Sequence, residues 1–293
     1  MRTTDPFDRF VECFAWFSGA VVLGSVGILI AFLLQQGIGS LGPGLLFGDT
    51  PWFGAVTGRE PVFEGIWPAV TGTFFLVVVS SLFSIPVGIA SGVYLSEYAS
   101  ARLRSVFGFC VDLLAGTPSI VMGLFGFTLV LLLRKTVFPE ARTCLFLAAL
   151  CIALLVLPYV IRTTETALSA VPEHYRMLGP AAGFSKLQTI RHVLLPLASR
   201  GILSGAILSV GRAAEDTAVI LLTGVVARAG VPRSLWDKFE ALPFQIYYLA
   251  AEHKTQLELE QGFGTALVLL ALTGVLFLAA ATLHGSAEKR WKR

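Results

Sequence analysis

An all-α integral membrane protein with six transmembrane helices is the fold class this sequence predicts, and three observations predict it. The first is composition: 55% of the 293 residues are apolar and 14% are charged, with a mean hydropathy of +0.76, where a soluble domain is about a quarter charged. The second is a set of six apolar runs, each near the roughly 20 residues that cross a bilayer. The third is a polar stretch, 162–196, that lies between the fourth and fifth runs and still carries helix start and stop signals.

The N-terminus carries Asp5, Asp8 and Glu12 and shows no small-residue cleavage site, so the first run, 11–34, reads as a retained span and not as a signal peptide. The second, 66–95, has no charge, and the third, 106–133, holds only Asp112. The fourth is 143–161; the fifth, 197–226, carries charges; the sixth is 262–283. Gly and Pro recur inside these runs, as at Pro86, Gly88, Gly116, Pro118, Gly201, Gly205 and Gly211. Small residues let membrane helices approach closely, and Pro frees carbonyls that neighbours must satisfy. Segment 36–65 is rich in Gly and Pro and reads as an outer loop with interfacial Trp52 and Phe53. Segment 227–261 carries both signs of charge and an aromatic patch, LPFQIYYLA, which reads either as a docking surface or as an aromatic belt at the membrane surface. The chain divides into an N-terminal segment with the first span and outer loop (1–65), a core with its polar loop (66–285) and a basic tail (286–293). It shows no internal repeat.

With the N-terminus inside, inner segments hold 13 Lys and Arg and outer segments 8, which favours both termini on the cytoplasmic side. The cluster Arg134, Lys135 and Arg142 runs against that bias.

The polar stretch is expected to form a lever of two short helices. Pro172 suits the first turn of a helix and Glu173 the positive end of its dipole. Gly179-Pro180 is expected to break that helix, with Gly183 supplying the turn. Ser185 and Gln188 have capping-box spacing for a second helix, and Pro196 is expected to mark its end.

Several chemistries are excluded. Net charge is only +3, with no basic nucleic-acid stripe. Cys13, Cys110, Cys144 and Cys151 lie in or beside apolar runs without a C-x-x-C pair and read as small buried hydrophobes. The four histidines are scattered, and no metal cluster or nucleophile elbow occurs. The chain has no G-x-x-x-x-G-K-[ST], so any work it does against a gradient draws on ions or on another subunit.

The informative charges are Arg212, Glu215 and Asp216, which share one helical face by their spacing. A charge at mid-membrane is expensive and faces a partner or a wet path. Two compatible readings stand: an Arg212–Asp216 pair that locks packing, and a gate in which Arg212 meets an anion when the carboxylates turn away. Pro118 is expected to break the third helix, where Thr117 and Ser119 add hydroxyl donors beside freed N–H groups; a simple Pro kink is the alternative. Asp112 reads as a local cap or as the partner of a cation on another span. Arg162 and Glu165 read as an ordinary interfacial pair.

The stretch 177–196 resembles the cytoplasmic loop of ATP-binding-cassette importer permeases, written E-A-A, three residues, Gly, nine residues, I-x-L-P. Gly183 matches the glycine and Val193-Leu194-Leu195-Pro196 the closing element; Met177-Leu178-Gly179 stand where the family has E-A-A, so the acidic anchor is missing and Glu173 is the candidate substitute. LAGTPSIVMGLFG (114–126), VIRTTETAL (160–168), GRAAEDTAVILLTG (211–224) and LPFQIYYLA (242–250) resemble phosphate-specific permeases of the PstA type. Arg212, Ala213, Thr217 and Ala218 match that family's fifth-span motif; Asp216 replaces Glu, and Glu215 replaces Gly.

The resemblance implies the type I importer permease architecture (MetI-like) with a cytoplasmic coupling helix, in a bacterial inner membrane with both termini inside. It implies a second related permease, two copies of a cytoplasmic ATPase that uses ATP and Mg, a periplasmic phosphate-binding protein, surrounding lipid, and no nucleic acid. No cofactor would be bound by this chain. The path would use Arg212, Asp216, Glu215, Thr117 and Ser119. ATPase coupling would use Glu173, His174, Tyr175, Arg176, Met177, Gly183 and Phe184. Other readings to be weighed are another oxyanion (molybdate, tungstate or sulfate), a non-transporting module that signals phosphate status, and an ion-coupled carrier.

Overall fold

The computed structural model describes residues 6–62 and 64–291, and side chains as far as Thr282, so the basic character expected of the tail falls outside what it describes. Among the described residues, six helices are long and apolar enough to cross a membrane. The first is α1 (Pro6–Gly37). Two short helices, α2 (Pro43–Phe47) and α3 (Trp52–Val56), give the loop 36–65 a local fold, and the ring of Phe47 closes on Trp67 at 5.3 Å. Trp52 and Phe53 are exposed there, as an interfacial role requires.

The centre of the molecule is α7 (Leu145–Ser169), with α4 (Trp67–Val93) packed along one side. Apolar burial does not drive helices together in lipid; close van der Waals approach does. Here the sequence supplies a stripe of small residues four apart, Ser80, Ser84, Gly88 and Gly92, all buried. A Cβ added at Gly88 would lie 2.6 Å from Val160 Cβ, and one at Gly92 2.6 Å from Thr164 Cβ. Those contacts advance together, so α4 and α7 run parallel. On the other side α10 (Leu195–Glu215) runs antiparallel, with Gly201 against Ala167 and Gly205 against Thr163.

The third run is divided. α5 (Ala101–Ala115) ends at Gly116, and α6 (Ser119–Thr136) starts after Pro118, where the sequence places the break. The fifth run is divided as well, although its apolar and charged pattern predicts one continuous helix. Helix α10 stops at Glu215, Asp216 is extended, and α11 (Ala218–Thr223) follows. Beyond it the 225–241 loop folds back. Val225 pairs with Phe239, which is fully buried, and the N–H groups of Leu145 and Phe146 donate to the carbonyls of Asp237 and Leu235. Then come α12 (Leu242–Glu252), with Tyr247 and Tyr248 exposed, and α13 (Gln256–Trp291). α1 is exposed along its length and meets α13 near Gly37, where Phe32 stands edge-on to Phe263 at 5.6 Å.

The lever departs from expectation in two places. α8 (Glu173–Ala181) runs through Gly179-Pro180 instead of ending there. Pro180 falls in its last turn, and the stop comes from Gly183 at φ +75°. Phe184 N–H donates to Gly179 O and Gly183 N–H to Pro180 O, the double bond pattern that closes a helix on a left-handed residue. Gly179 has a different use: it is buried where α8 meets Thr189, and a Cβ there would collide with that side chain. The second helix starts as expected, with a complete capping box between Ser185 and Gln188. Pro196 does not end it. α9 (Lys186–Thr189) widens into a π-turn, Ile190–Leu194, and continues into α10. Pro196 lacks an N–H, and the widened turn just before it accommodates that loss. The second arm of the lever is therefore the first part of the fifth span itself.

Candidate functional site

The two pairings of α10 with α7 fix depth. If Gly201 faces Ala167 and Gly205 faces Thr163, continuing the antiparallel register sets Arg212 opposite Val156, midway along the 25 residues of α7. The break at Gly116-Thr117-Pro118 lies at a similar depth. Gly108 sits under the Arg162 guanidinium and Gly126 against Cys151, so the break falls between those two levels of α7.

At that depth the carboxylate of Asp216 is only 2% exposed, while the Arg212 side chain is 43% exposed, and the two are 3.7 Å apart. Asp216 Oδ1 accepts from Val219 N–H at 2.9 Å, in the first turn of α11. A carboxylate at a helix N-terminus satisfies an orphan donor and complements the dipole. The pair expected from the spacing is present, but its members differ. Asp216 is fixed by the helix it caps; Arg212 touches it loosely and faces open space. Glu215 is exposed on the last turn of α10 and lies outside the pair. Thr117 is half-buried and donates to Leu113 O at 3.0 Å, and Ser119 opens α6, also half-buried. α6 packs on α11, with Gly123 against Ala218 and Val219, so the two helix breaks belong to one neighbourhood of the bundle.

Arg162 sits nearer the lever. It reaches Asp112 at 2.6 Å, Glu165 at 2.8 Å and Gly108 O at 2.8 Å. Asp112 thus pairs with a cation on another span, one of the two roles its sequence position left open. Arg162 does more than pair with Glu165: it ties α5 to α7.

In the lever, Glu173, His174, Tyr175, Met177, Gly183 and Phe184 are exposed, and with Leu178 and Leu187 they form a partly apolar tip. Arg176 points the other way. Its guanidinium meets Glu97 at 2.8 Å and donates to Leu168 O at 2.6 Å. The turn Tyr94–Tyr98 that presents Glu97 has no sequence signature, and no local pattern links it to a residue 79 positions away. The capping role of Asp216 was within reach, because an Asp three residues before Val219 has N-cap spacing. At the opposite end of the bundle, a cavity of about 550 Å³ lies between Glu60 and Pro61 on one side and Arg233 and Lys238 on the other. Beside it Glu240 is buried, its Oε1 accepting from Gly230 N–H at 2.9 Å. Burial raises its pKa above the ordinary carboxylate value, and the N–H groups of Gly230 and Ala229 and the charge of Arg228 pull it partly back.

Residues 84–293 match the family described as binding-protein-dependent transport system inner membrane component. The chain is 34% identical to the phosphate transport system permease protein PstA 1 of Mycobacterium tuberculosis, over 79% of this chain and 74% of that protein. It is 35% identical to PstA of Mycobacterium leprae over 78% and 71%, and 32% identical to PstA of Haemophilus influenzae over 70% and 71%. Among solved structures, a chain of a bacterial ABC transporter involved in the import of the acidic polysaccharide alginate shares the fold at a TM-score of 0.62, with 16% identity over 95% of this chain and 99% of that one. A chain of the MetNI methionine ABC transporter in an inward-facing conformation does so at 0.54, with 22% identity over 78% and 95%.

Proposed function

The chain belongs to the family of binding-protein-dependent transport system inner membrane components, and from that premise we propose that it is the membrane permease subunit of an ATP-driven importer of inorganic phosphate. The observation that carries a transport role is Arg212, a half-exposed guanidinium at the middle of the bundle, 3.7 Å from a buried carboxylate. An ionised group held there without full pairing is costly, and a wet path for an anion gives it a use. The choice of phosphate rests on the PstA relatives, named for that transport.

In this reading the lever faces the cytoplasm, with both termini, and the cavity beside Arg233 and Lys238 faces the periplasm, where a phosphate-binding protein would deliver the anion. The exposed tip around Tyr175, Met177, Leu178 and Phe184 would sit in a groove of the ATPase, which would bind ATP and Mg. The missing acidic anchor fits a contact made mainly by these apolar side chains, with Glu173, 81% exposed, available at the rim. A second related permease would complete the channel against the exposed faces of α5 and α1. Arg212 would meet phosphate when the path opens and return to Asp216 when it is empty. Glu215, Thr117 and Ser119 would line the same path.

The test is uptake of radiolabelled phosphate by proteoliposomes that hold the assembled complex, with binding protein outside and ATP inside. Uptake is expected to require ATP and to vanish in Arg212→Gln while the complex still co-purifies. Normal uptake in that variant refutes the role of Arg212. Competition with molybdate, tungstate and sulfate decides the substrate.

A further inference from the structure

The turn Tyr94–Tyr98, where α4 widens at the lever end of the bundle, gathers contacts from three other elements. From α8, Arg176 Nη1 donates to Glu97 Oε1 at 2.8 Å, and the side chains are only 21% and 9% exposed. The same guanidinium donates to Leu168 O at 2.6 Å, in the last turn of α7, and to Val171 O at 3.4 Å, in the link that follows it. Ser96 Oγ donates to Glu97 Oε1 at 3.0 Å and fixes the acceptor. From α9, Lys186 Nζ stands 4.6 Å above the ring of Tyr98. From α5, Arg104 donates to the carbonyls of Leu95 and Ser96. α5 is tied in turn to α7 by Arg162 and Asp112, and it ends at the mid-membrane break.

We propose that the Arg176–Glu97 pair is a rigid joint through which a push on the lever is passed to the ends of α4 and α7 and, through Arg104, to α5. The joint rests on the ATPase-driven reading above. A planar guanidinium bonded to a carboxylate on the α4 turn, to a carbonyl of α7 and to one in the link before α8 cannot pivot without breaking bonds on all of them, whereas a lone flexible ammonium can. α8 is also held to the start of the fifth span, where Gly179 packs on Thr189, so what Arg176 adds is the direct tie to α4 and α7; without it a push on α8 would reach α10 but pass only weakly to those two helices. Arg176 is thus a positioning residue: it touches neither phosphate nor nucleotide, and its effect is on coupling.

The experiment uses the whole complex in proteoliposomes and reads two rates, ATP hydrolysis and phosphate uptake, in wild type, Arg176→Met, Glu97→Gln and the double variant. Wild type must show ATP-dependent uptake; if it does not, the transport reading fails before the joint is tested. The expected result is that each single variant keeps the ATPase bound and its hydrolysis close to wild type, while the ATP used per phosphate rises about tenfold, as coupling-network changes do. The double variant is expected to be no worse than Arg176→Met, since the second change removes a partner already lost. Ratios that stay at the wild-type value in both single variants overturn the proposal, as does a double variant whose effect is the product of the two. Should Arg176→Met fail to assemble, Arg176→Lys, which keeps a cation opposite Glu97 but cannot hold both carbonyls, decides. An intermediate ratio supports the joint, and a wild-type ratio there and in Glu97→Gln overturns it.

Discussion

Arg176 and Arg212 are each set against a carboxylate, and the two settings differ in every physical respect. Arg176 lies 2.8 Å from Glu97 with both side chains largely buried, and its other two nitrogens each donate to a main-chain carbonyl. Arg212 lies 3.7 Å from Asp216 and is nearly half exposed, and the carboxylate it faces is already engaged by Val219 N–H. A guanidinium with an acceptor at every nitrogen makes a clamp, because moving the group leaves buried acceptors unmet. Donors left open make a contact that can be exchanged for another anion at little cost. In the proposed mechanism the same residue type holds at the lever and releases at mid-membrane, and the number of acceptors around it decides which.

The contrast can be broken in graded steps. The largest effect is expected at Arg212. Arg212→Lys keeps the charge but loses the fork, so phosphate uptake should fall about tenfold to a hundredfold, the equivalent of one charge-assisted hydrogen bond of ~1.5–3 kcal/mol. Uptake at wild-type rate in the lysine variant would show that a point charge is enough. Next is Asp216. Asp216→Ala should lower stability by about 0.5–2 kcal/mol through the lost helix cap, while Asp216→Asn keeps an acceptor for Val219 N–H and should lose less. Thermal unfolding of the purified complex reads the difference, and equal losses would mean that Asp216 stabilises through Arg212 and not through the cap. Arg162 is the intermediate case, with three acceptors but 35% exposure. Arg162→Met should cost about 1 kcal/mol, discounted for solvent screening, and should free α5, seen as faster hydrogen exchange over 101–115.

The smallest effect is expected at Glu240, a carboxylate held by backbone N–H groups beside Arg228. Its pKa is raised on folding, so between the ordinary value of about 4.3 and the higher folded value the folded state binds more protons than the unfolded one. The stabilisation is complete below the unfolded pKa and is lost as pH rises through the folded one. Hydrogen exchange over 225–241 should slow as pH is lowered through that window, after correction for intrinsic rates, and Glu240→Gln should remove the dependence.

What could be read before folding was what is local. The capping box at Ser185 and Gln188, the turn at Gly183 and the break before Ser119 each follow from a few adjacent residues. The errors came where a local signal competed with its surroundings. Gly179-Pro180 looks like a stop, but Pro is tolerated in a last turn, and Gly179 is spent on the close approach to Thr189. Pro196 looks like a boundary, but a widened turn carries the helix past it. The face shared by Arg212, Glu215 and Asp216 assumed one unbroken helix, and the break after Glu215 turned Asp216 into a cap and left Glu215 outside the pair.

The sequence by itself determined the membrane class, the six spans, the lever between the fourth and fifth, and a charged group in the fifth, because hydropathy and turn chemistry act over neighbouring residues. The tertiary structure alone decided that Arg176 turns inward to Glu97, that Arg162 bridges to Asp112, and that Arg212 lies level with the other helix break. Those pairings join residues tens of positions apart, and they are chosen by which helix faces meet through the small residues of α4, α5 and α10.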